Sequence, residues 1–172
     1  MSQAVATALL LVVFPFLMAY AAASDLFTMT IPNRVSLALV AAFGALAATG
    51  AFTWGDLLVH LGVGMAVLAL TFAMFAAGWI GGGDAKLAAA TALWLGIEGL
   101  SDYLVLASIG GGALTLAILA ARGQVLPRFA HGWAWAQRLH DQKTGIPYGI
   151  ALAAAALVAL PGSALWATAL SN

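Results

Sequence analysis

The stretch LLVHLGVGMAVLALTFAMFAAGWIGGGD, residues 57–84, decides the fold. Residues 57–80 contain no Asp, Glu, Lys or Arg, and their one titratable side chain is His60. At ~1.5 Å per residue the run reaches ~36 Å as a helix, enough to cross the ~30 Å hydrocarbon layer of a bilayer. It gives way abruptly to Gly81, Gly82, Gly83 and the carboxylate of Asp84. Working outward, further apolar runs lie at 4–23, 34–53, 85–98, 103–121 and 146–168. Lipid offers no partner to an unpaired backbone N–H or C=O, so each run is expected to be α-helical. The expected fold is an all-α polytopic membrane protein with six transmembrane helices. The run at 85–98 is short, ~21 Å, and is expected to extend back through Gly81–Asp84, setting Asp84 at or just below the membrane surface.

Composition points the same way. The chain has 172 residues, 64% hydrophobic and 7% charged, whereas a soluble domain is about half apolar and about a quarter charged. Too few polar side chains exist to cover a water-facing surface. Six basic residues balance six acidic ones, so nothing points to nucleic acid. The absence of cysteine excludes disulfides, thiolate catalysis and a cysteine zinc site. With no linker, repeat or low-complexity tract, residues 1–172 read as a single domain. Ala21-Ala22-Ala23-Ser24 looks like a leader cleavage site. Met1-Ser2-Gln3 carries no basic residue, however, and the apolar run of about 20 exceeds a signal peptide's core. The first run is therefore expected to be a retained span.

Six spans divide the connecting segments into two sets. One set, with its adjoining helix ends, holds Arg34, Lys86, Arg122, Arg128, Arg138 and Lys143; the other holds no lysine or arginine. Basic residues accumulate on the cytoplasmic side, so both termini are expected outside. Asp25 and Asp84 then share the cytosolic face, with Asp56, Glu98 and Asp102 opposite. In the long segment 122–145, Phe129, Trp133 and Trp135 alternate with Arg128, His131, Arg138 and His140. Tryptophan favours the headgroup layer and arginine pairs with anionic lipid, so a short interfacial helix in contact with membrane lipid is expected here, compatible with substrate docking.

An ionised carboxylate in hydrocarbon costs about 2.5–3.5 kcal/mol on insertion scales, less toward the interface. Asp25 and Asp84 are therefore functional candidates by default. The competing reading is structural pairing, Asp25 with Arg34 or Asp84 with Lys86, although residues two apart on a helix point away from each other. Gly81, Gly82 and Gly83 permit close backbone approach and unusual φ values, which suits an extended substrate beside a carboxylate; helix packing or a turn is the plainer explanation. Pro32 precedes a helix, with Asn33 as a plausible cap. Lys143-Thr144-Gly145-Ile146-Pro147-Tyr148-Gly149 opens the last span like an ordinary helix start. His60, His131 and His140 lack metal-ligand spacing and read as structural or interfacial.

Together, three segments are more specific: Asp25 with Pro32-Asn33, Gly81-Gly82-Gly83-Asp84-Ala85-Lys86-Leu87, and Lys143 with Pro147-Tyr148-Gly149. In order and spacing they resemble the type IV prepilin peptidases. The GxGD element, here Gly81–Asp84, is similar to the hallmark of intramembrane aspartic peptidases. The resemblance implies catalysis by Asp25 and Asp84 at the cytosolic face of a bacterial inner membrane. It implies neither metal nor cofactor, and a prepilin substrate with a basic leader, a glycine before the cut and an apolar helix after it. Gly81, Gly82, Gly83, Lys86, Ile146, Pro147 and Tyr148 are the candidate substrate contacts. Larger relatives add a Cys-x-x-Cys domain linked to methylation; this cysteine-free chain resembles the short branch that processes Flp-type pilins in tight-adherence systems.

The implied chemistry is hydrolysis by a water held between the two carboxyl groups, one ionised to take its proton and one protonated to polarise the scissile carbonyl. Like charges a few ångströms apart at low dielectric cannot both persist, so such a pair titrates as a unit. Two other classes compete. A proton-coupled transporter also uses intramembrane carboxylates, but at midplane in broken helices. A non-catalytic scaffold subunit of a pilus or secretion assembly would tolerate loss of both aspartates.

Overall fold

The computed structural model describes residues 2–170, and among these every regular element is helical. Helix α1 runs Gln3–Thr28. Pro15 lies inside it, where it has no N–H to donate and its ring crowds the preceding turn. Just ahead of it the helix widens into a π-turn at Leu9–Val13, in which the Phe14 N–H reaches the Leu9 carbonyl, and helical geometry continues to Thr28. Met29 ends α1 in the left-handed region (φ 56°), its N–H bonded to the Asp25 carbonyl at 2.8 Å. Hydroxyls fasten the turn: Thr28 to the Ser24 carbonyl at 2.7 Å and Ser24 to the Thr30 carbonyl at 2.9 Å.

Pro32 then caps α2, Asn33–Ala48. Helix α3, Trp54–Ala76, begins with a capping box in which Thr53 Oγ1 accepts the Asp56 N–H at 3.2 Å and Asp56 Oδ2 accepts the Thr53 N–H at 3.3 Å. Helix α4 spans Gly82–Arg122, the short α5 Ala134–His140, and α6 Tyr148–Ala159. Pro161 forces a 3₁₀ turn at Leu160–Gly162 before α7, Ala164–Leu170.

The decisive irregularity is Gly96 in α4, at φ 63° and ψ −167°, a conformation that only glycine adopts without strain. A helical Ile97 N–H would have paired with the Leu93 carbonyl. Instead His60 Nδ1 meets that carbonyl at 2.8 Å, its ring set between Phe43 and Phe52 at centroid distances of 5.7 and 5.0 Å. The chain reverses here. On a straight helix Gly83 and Gly111 would stand ~42 Å apart. Yet neighbouring residues Tyr148 and Gly149 span between them: Tyr148 lies on Gly111, while Gly149 abuts Ile31, which abuts Gly83.

The two arms of α4 form the hub against which α2, α3 and α6 pack, and α1 closes over α2 and α6. Trp94 is fully buried at the centre, donating from Nε1 to the Leu39 carbonyl at 3.0 Å and lying against Phe14 and Phe43. Lipid is as apolar as these side chains, so close fit and satisfied polar groups hold such helices together. Between α4 and α6 the fit comes from small residues: Gly110 and Gly111 receive Ala151 and Tyr148.

Three helices are long and apolar enough to cross a membrane, namely α1, α3 and α4, with shorter apolar helices at Asn33–Ala48 and Tyr148–Gly162. The expected extension of the fourth run through the glycines occurs, since α4 starts at Gly82. Three expectations need correction. Residues 99–102 are helical, and the interruption falls at Gly96. The second run ends as a helix at Ala48, short of 53. The last run is interrupted at Leu160–Gly162. A short helix does form within 122–145, at Ala134–His140.

Replacing Gly96 by alanine would put a methyl 2.7 Å from His60 Cε1 on a backbone that resists any side chain. Gly96→Ala is expected to destabilise the protein by about 1–3 kcal/mol, read as a lower melting temperature in detergent. Gly112→Ala, with open space around it, should leave the melting temperature unchanged or raised.

Candidate active site

Asp25 lies in the last turn of α1, at 6% exposure. Its Oδ2 accepts the Gly149 N–H at 2.7 Å. Gly149 is in the first turn of α6, where backbone N–H groups lack partners within the helix, so a carboxylate on α1 caps α6. The approach is tight: a methyl at Gly149 would stand 2.8 Å from Asp25 Oδ2 and 2.7 Å from Ile31 Cδ1.

Asp84 occupies the first turn of α4 and is half-buried. Its carboxylate folds back over Gly81, so that a methyl at Gly81 would lie 2.8 Å from Oδ2. Asp25 and Asp84 are near enough for the charge of one to act on the other. Ile31 joins the three segments, touching Gly83 on one side and Gly149 on the other. Each carboxylate thus lies against a glycine, Asp25 against Gly149 and Asp84 against Gly81.

The triple glycine is needed for space and not for unusual backbone angles. Gly81 has φ −73°, while Gly82 and Gly83 are helical. Phe75 would lie 3.2 Å from a methyl at Gly82, and Ile31 3.1 Å from one at Gly83. Among the other sequence candidates, Lys86 is exposed and donates to Asn33 Oδ1 at 2.8 Å, so Asn33 serves that ammonium, and Pro32 takes the capping position expected of it. Pro147 is fully buried and Ile146 partly so. The Tyr148 ring covers Gly111, and its hydroxyl meets Thr115 Oγ1 at 2.9 Å. Arg34 does not reach Asp25; it donates to the Tyr20 hydroxyl and stacks on that ring, 5.5 Å from its centroid.

Sequence reasoning counted Arg122 only as a charge. Its guanidinium donates to the Leu139 carbonyl at 2.7 Å and to those of Thr144 and Gly145, both at 2.9 Å. It thereby cinches the ends of the 122–145 segment, directly before the Pro147–Gly149 turn that holds Asp25. Its place in the last turn of α4 suggests a cap on that helix's own carbonyls and gives no signal of partners 17 to 23 residues further on. Tyr103 was also missed; it is fully buried beside Thr91, its hydroxyl without a well-formed hydrogen bond.

Helices of this length and polarity, gathering two acidic side chains at one end, define an integral-membrane protein. Residues 12–116 match the type IV leader peptidase family, more than half of the chain, and the chain belongs to that family. It is accordingly a peptidase of prepilin-type leaders in general terms. No curated protein and no solved structure gives a match.

Gly149→Ala should displace the Asp25 carboxyl by a fraction of an ångström or more. Misplacement on the 1 Å scale costs roughly 10²-fold, the expected fall in leader cleavage by purified enzyme; Gly145→Ala, with nothing near its added methyl, should keep activity. Arg122→Ala is expected to open the 123–145 segment to limited proteolysis and to slow cleavage, with Arg122→Lys restoring little because one ammonium cannot match the planar fork.

Proposed function

We propose that the chain is an intramembrane aspartic endopeptidase that removes the leader from prepilin-like substrates at the cytosolic membrane face, with Asp25 and Asp84 as its catalytic pair. The observation that carries this reading is the convergence of three segments, distant in sequence, on one pair of carboxyl groups. A water between the two would lose its proton to the ionised carboxylate as it attacks the scissile carbonyl. The protonated partner would donate to the carbonyl oxygen. General acid–base assistance of this kind is worth roughly 10²–10⁴-fold.

The substrate class proposed is the Flp-type prepilin of tight-adherence systems, entering with its leader in the cytosol. Six passes with both termini outside support that orientation. The reversal at Gly96 supports a count of six, under which Arg34, Lys86, Arg122, Arg128, Arg138 and Lys143 would all face the cytosol. The α5 segment, with Trp135 in ring contact with both Phe27 and Trp133, would lie in the headgroup layer. The Gly81–Gly83 segment, Lys86 and the Ile146–Tyr148 turn are proposed to flank the substrate's extended strand at the cut.

Asp25→Asn and Asp84→Asn are each expected to insert normally and to reduce leader removal by at least about 10²-fold, seen as accumulation of unprocessed pilin in cells. Either variant maturing pilin at the unaltered rate would refute the aspartic mechanism. Placement of positions 25 and 84 on opposite membrane surfaces by labelling from outside the cell would do the same.

A further inference from the structure

At the end of the bundle remote from Asp84, the reversal of α4 leaves a cavity of about 240 Å³. Gly96 lies ~18 Å from Asp84 along the first arm of α4. Around Gly96, the cavity is lined by Asp56 and His60 of α3, Glu98 of α4, Leu165 of α7 and the Phe52 ring. Residues 47–56, 92–102 and 159–170, which build this end, contain no lysine or arginine.

His60 sets the chemistry of the cavity. Its side chain is 7% exposed, and Nδ1 meets the Leu93 carbonyl at 2.8 Å. A carbonyl can only accept, so Nδ1 carries the proton and Nε2 of the neutral ring is left as a lone-pair acceptor. Nε2 has no hydrogen-bond partner among the described residues. Among those residues the Tyr103 hydroxyl is the one unpartnered side-chain polar atom sealed from solvent, so Nε2 is open to the cavity that its ring lines. A methyl at Gly96 would stand 3.0 Å from Nε2; glycine there keeps this edge of the ring uncovered.

The two carboxylates add acceptors and negative charge. Asp56 Oδ2 takes the Thr53 hydroxyl at 2.7 Å, which leaves its second oxygen free. The Glu98 side chain is exposed, with no hydrogen bond or ion pair among the described residues. Acceptors with no cationic donor beside them suit a ligand that brings positive charge and several N–H groups. One metal ion does not fit, because among the described residues no three His, Asp or Glu side chains are grouped to share it. A guanidinium does. Its five N–H bonds fan out in a plane toward separated acceptors, and its face stacks on aromatic rings such as Phe52, centred 5.0 Å from His60.

We infer that this cavity binds a guanidinium group, with His60 Nε2 accepting one N–H and the carboxylates of Asp56 and Glu98 supplying the counter-charge. The bound group keeps His60 in the tautomer that serves the Leu93 carbonyl, and so steadies the reversal of α4. Nothing in this depends on the chemistry at Asp25 and Asp84.

The test uses the full chain in detergent carrying His131→Gln and His140→Gln, so that His60 is the one imidazole. Methylguanidinium at millimolar concentration should move the nitrogen NMR resonance of His60 Nε2 saturably and raise the melting temperature. Tetramethylammonium, of equal charge but without an N–H, should do neither. Glu98→Gln should weaken methylguanidinium binding about threefold, and adding Asp56→Asn should bring the loss to about tenfold. A blocked Gly-Arg-Gly peptide separates two sources of the group. Binding as tight as that of methylguanidinium assigns the site to an arginine of a polypeptide, and exclusion of the peptide assigns it to free guanidino compounds. An unmoved Nε2 resonance, an equal response to tetramethylammonium, or unchanged binding in the carboxylate variants would overturn the inference. If the double carboxylate variant fails to fold, Glu98→Gln and the comparison of the two cations decide it.

Discussion

The hydrogen bond from the Gly149 N–H to Asp25 Oδ2 ties the last membrane helix to the first, and much of the architecture follows from keeping it. In a medium without water, an unpaired helix-terminal N–H and an unpaired carboxylate are both costly; joined, each relieves the other. The bond requires glycine at 149, because a side chain would strike Asp25 and Ile31 together. It requires α1 to stay helical through Asp25, which the left-handed turn at Met29 permits by closing the helix just beyond. It also requires the segment ahead of α6 to arrive in place, which Arg122 secures through the carbonyls of Thr144 and Gly145.

Glycine does two different jobs along this chain. At Gly96 it supplies a backbone conformation, and the reversal of α4 depends on it. At Gly81–Gly83 and Gly149 it supplies room, with ordinary backbone angles and a protein atom close to where a methyl would be. The same residue type therefore answers a question of torsion at the far end of the first arm of α4 and a question of distance beside the carboxylates.

What could be read from the sequence was what is local. Hydropathy is a property of short windows, so the apolar runs and the helical class were legible, as were the three motif segments that the structure gathers. The Gly96 reversal was not, because 19 glycines are scattered through the chain and the one that breaks a helix is set by His60 filling the gap it leaves. Gly99–Asp102 looked more like a turn, with its small and polar residues, but neighbouring helices keep it helical. Asn33 looked like a cap because caps are local, whereas its actual partner, Lys86, is 53 residues away. The clamp of Arg122 escaped for the same reason: nothing near it in sequence announces carbonyls 17 to 23 residues on.

The unequal arms of α4 bear on biogenesis. As the nascent chain leaves the ribosome, residues 82–95 emerge first, a segment of ~21 Å that falls short of the ~30 Å hydrocarbon layer and carries Asp84 and Lys86 at its head. The arm that follows, 97–122, is ~39 Å long and strongly apolar. The first arm gains a secure transbilayer position only once the second pulls the hairpin in behind it. Insertion of this region is thus expected to be a paired event, with the Asp84 carboxylate reaching its depth as a passenger of a helix made after it.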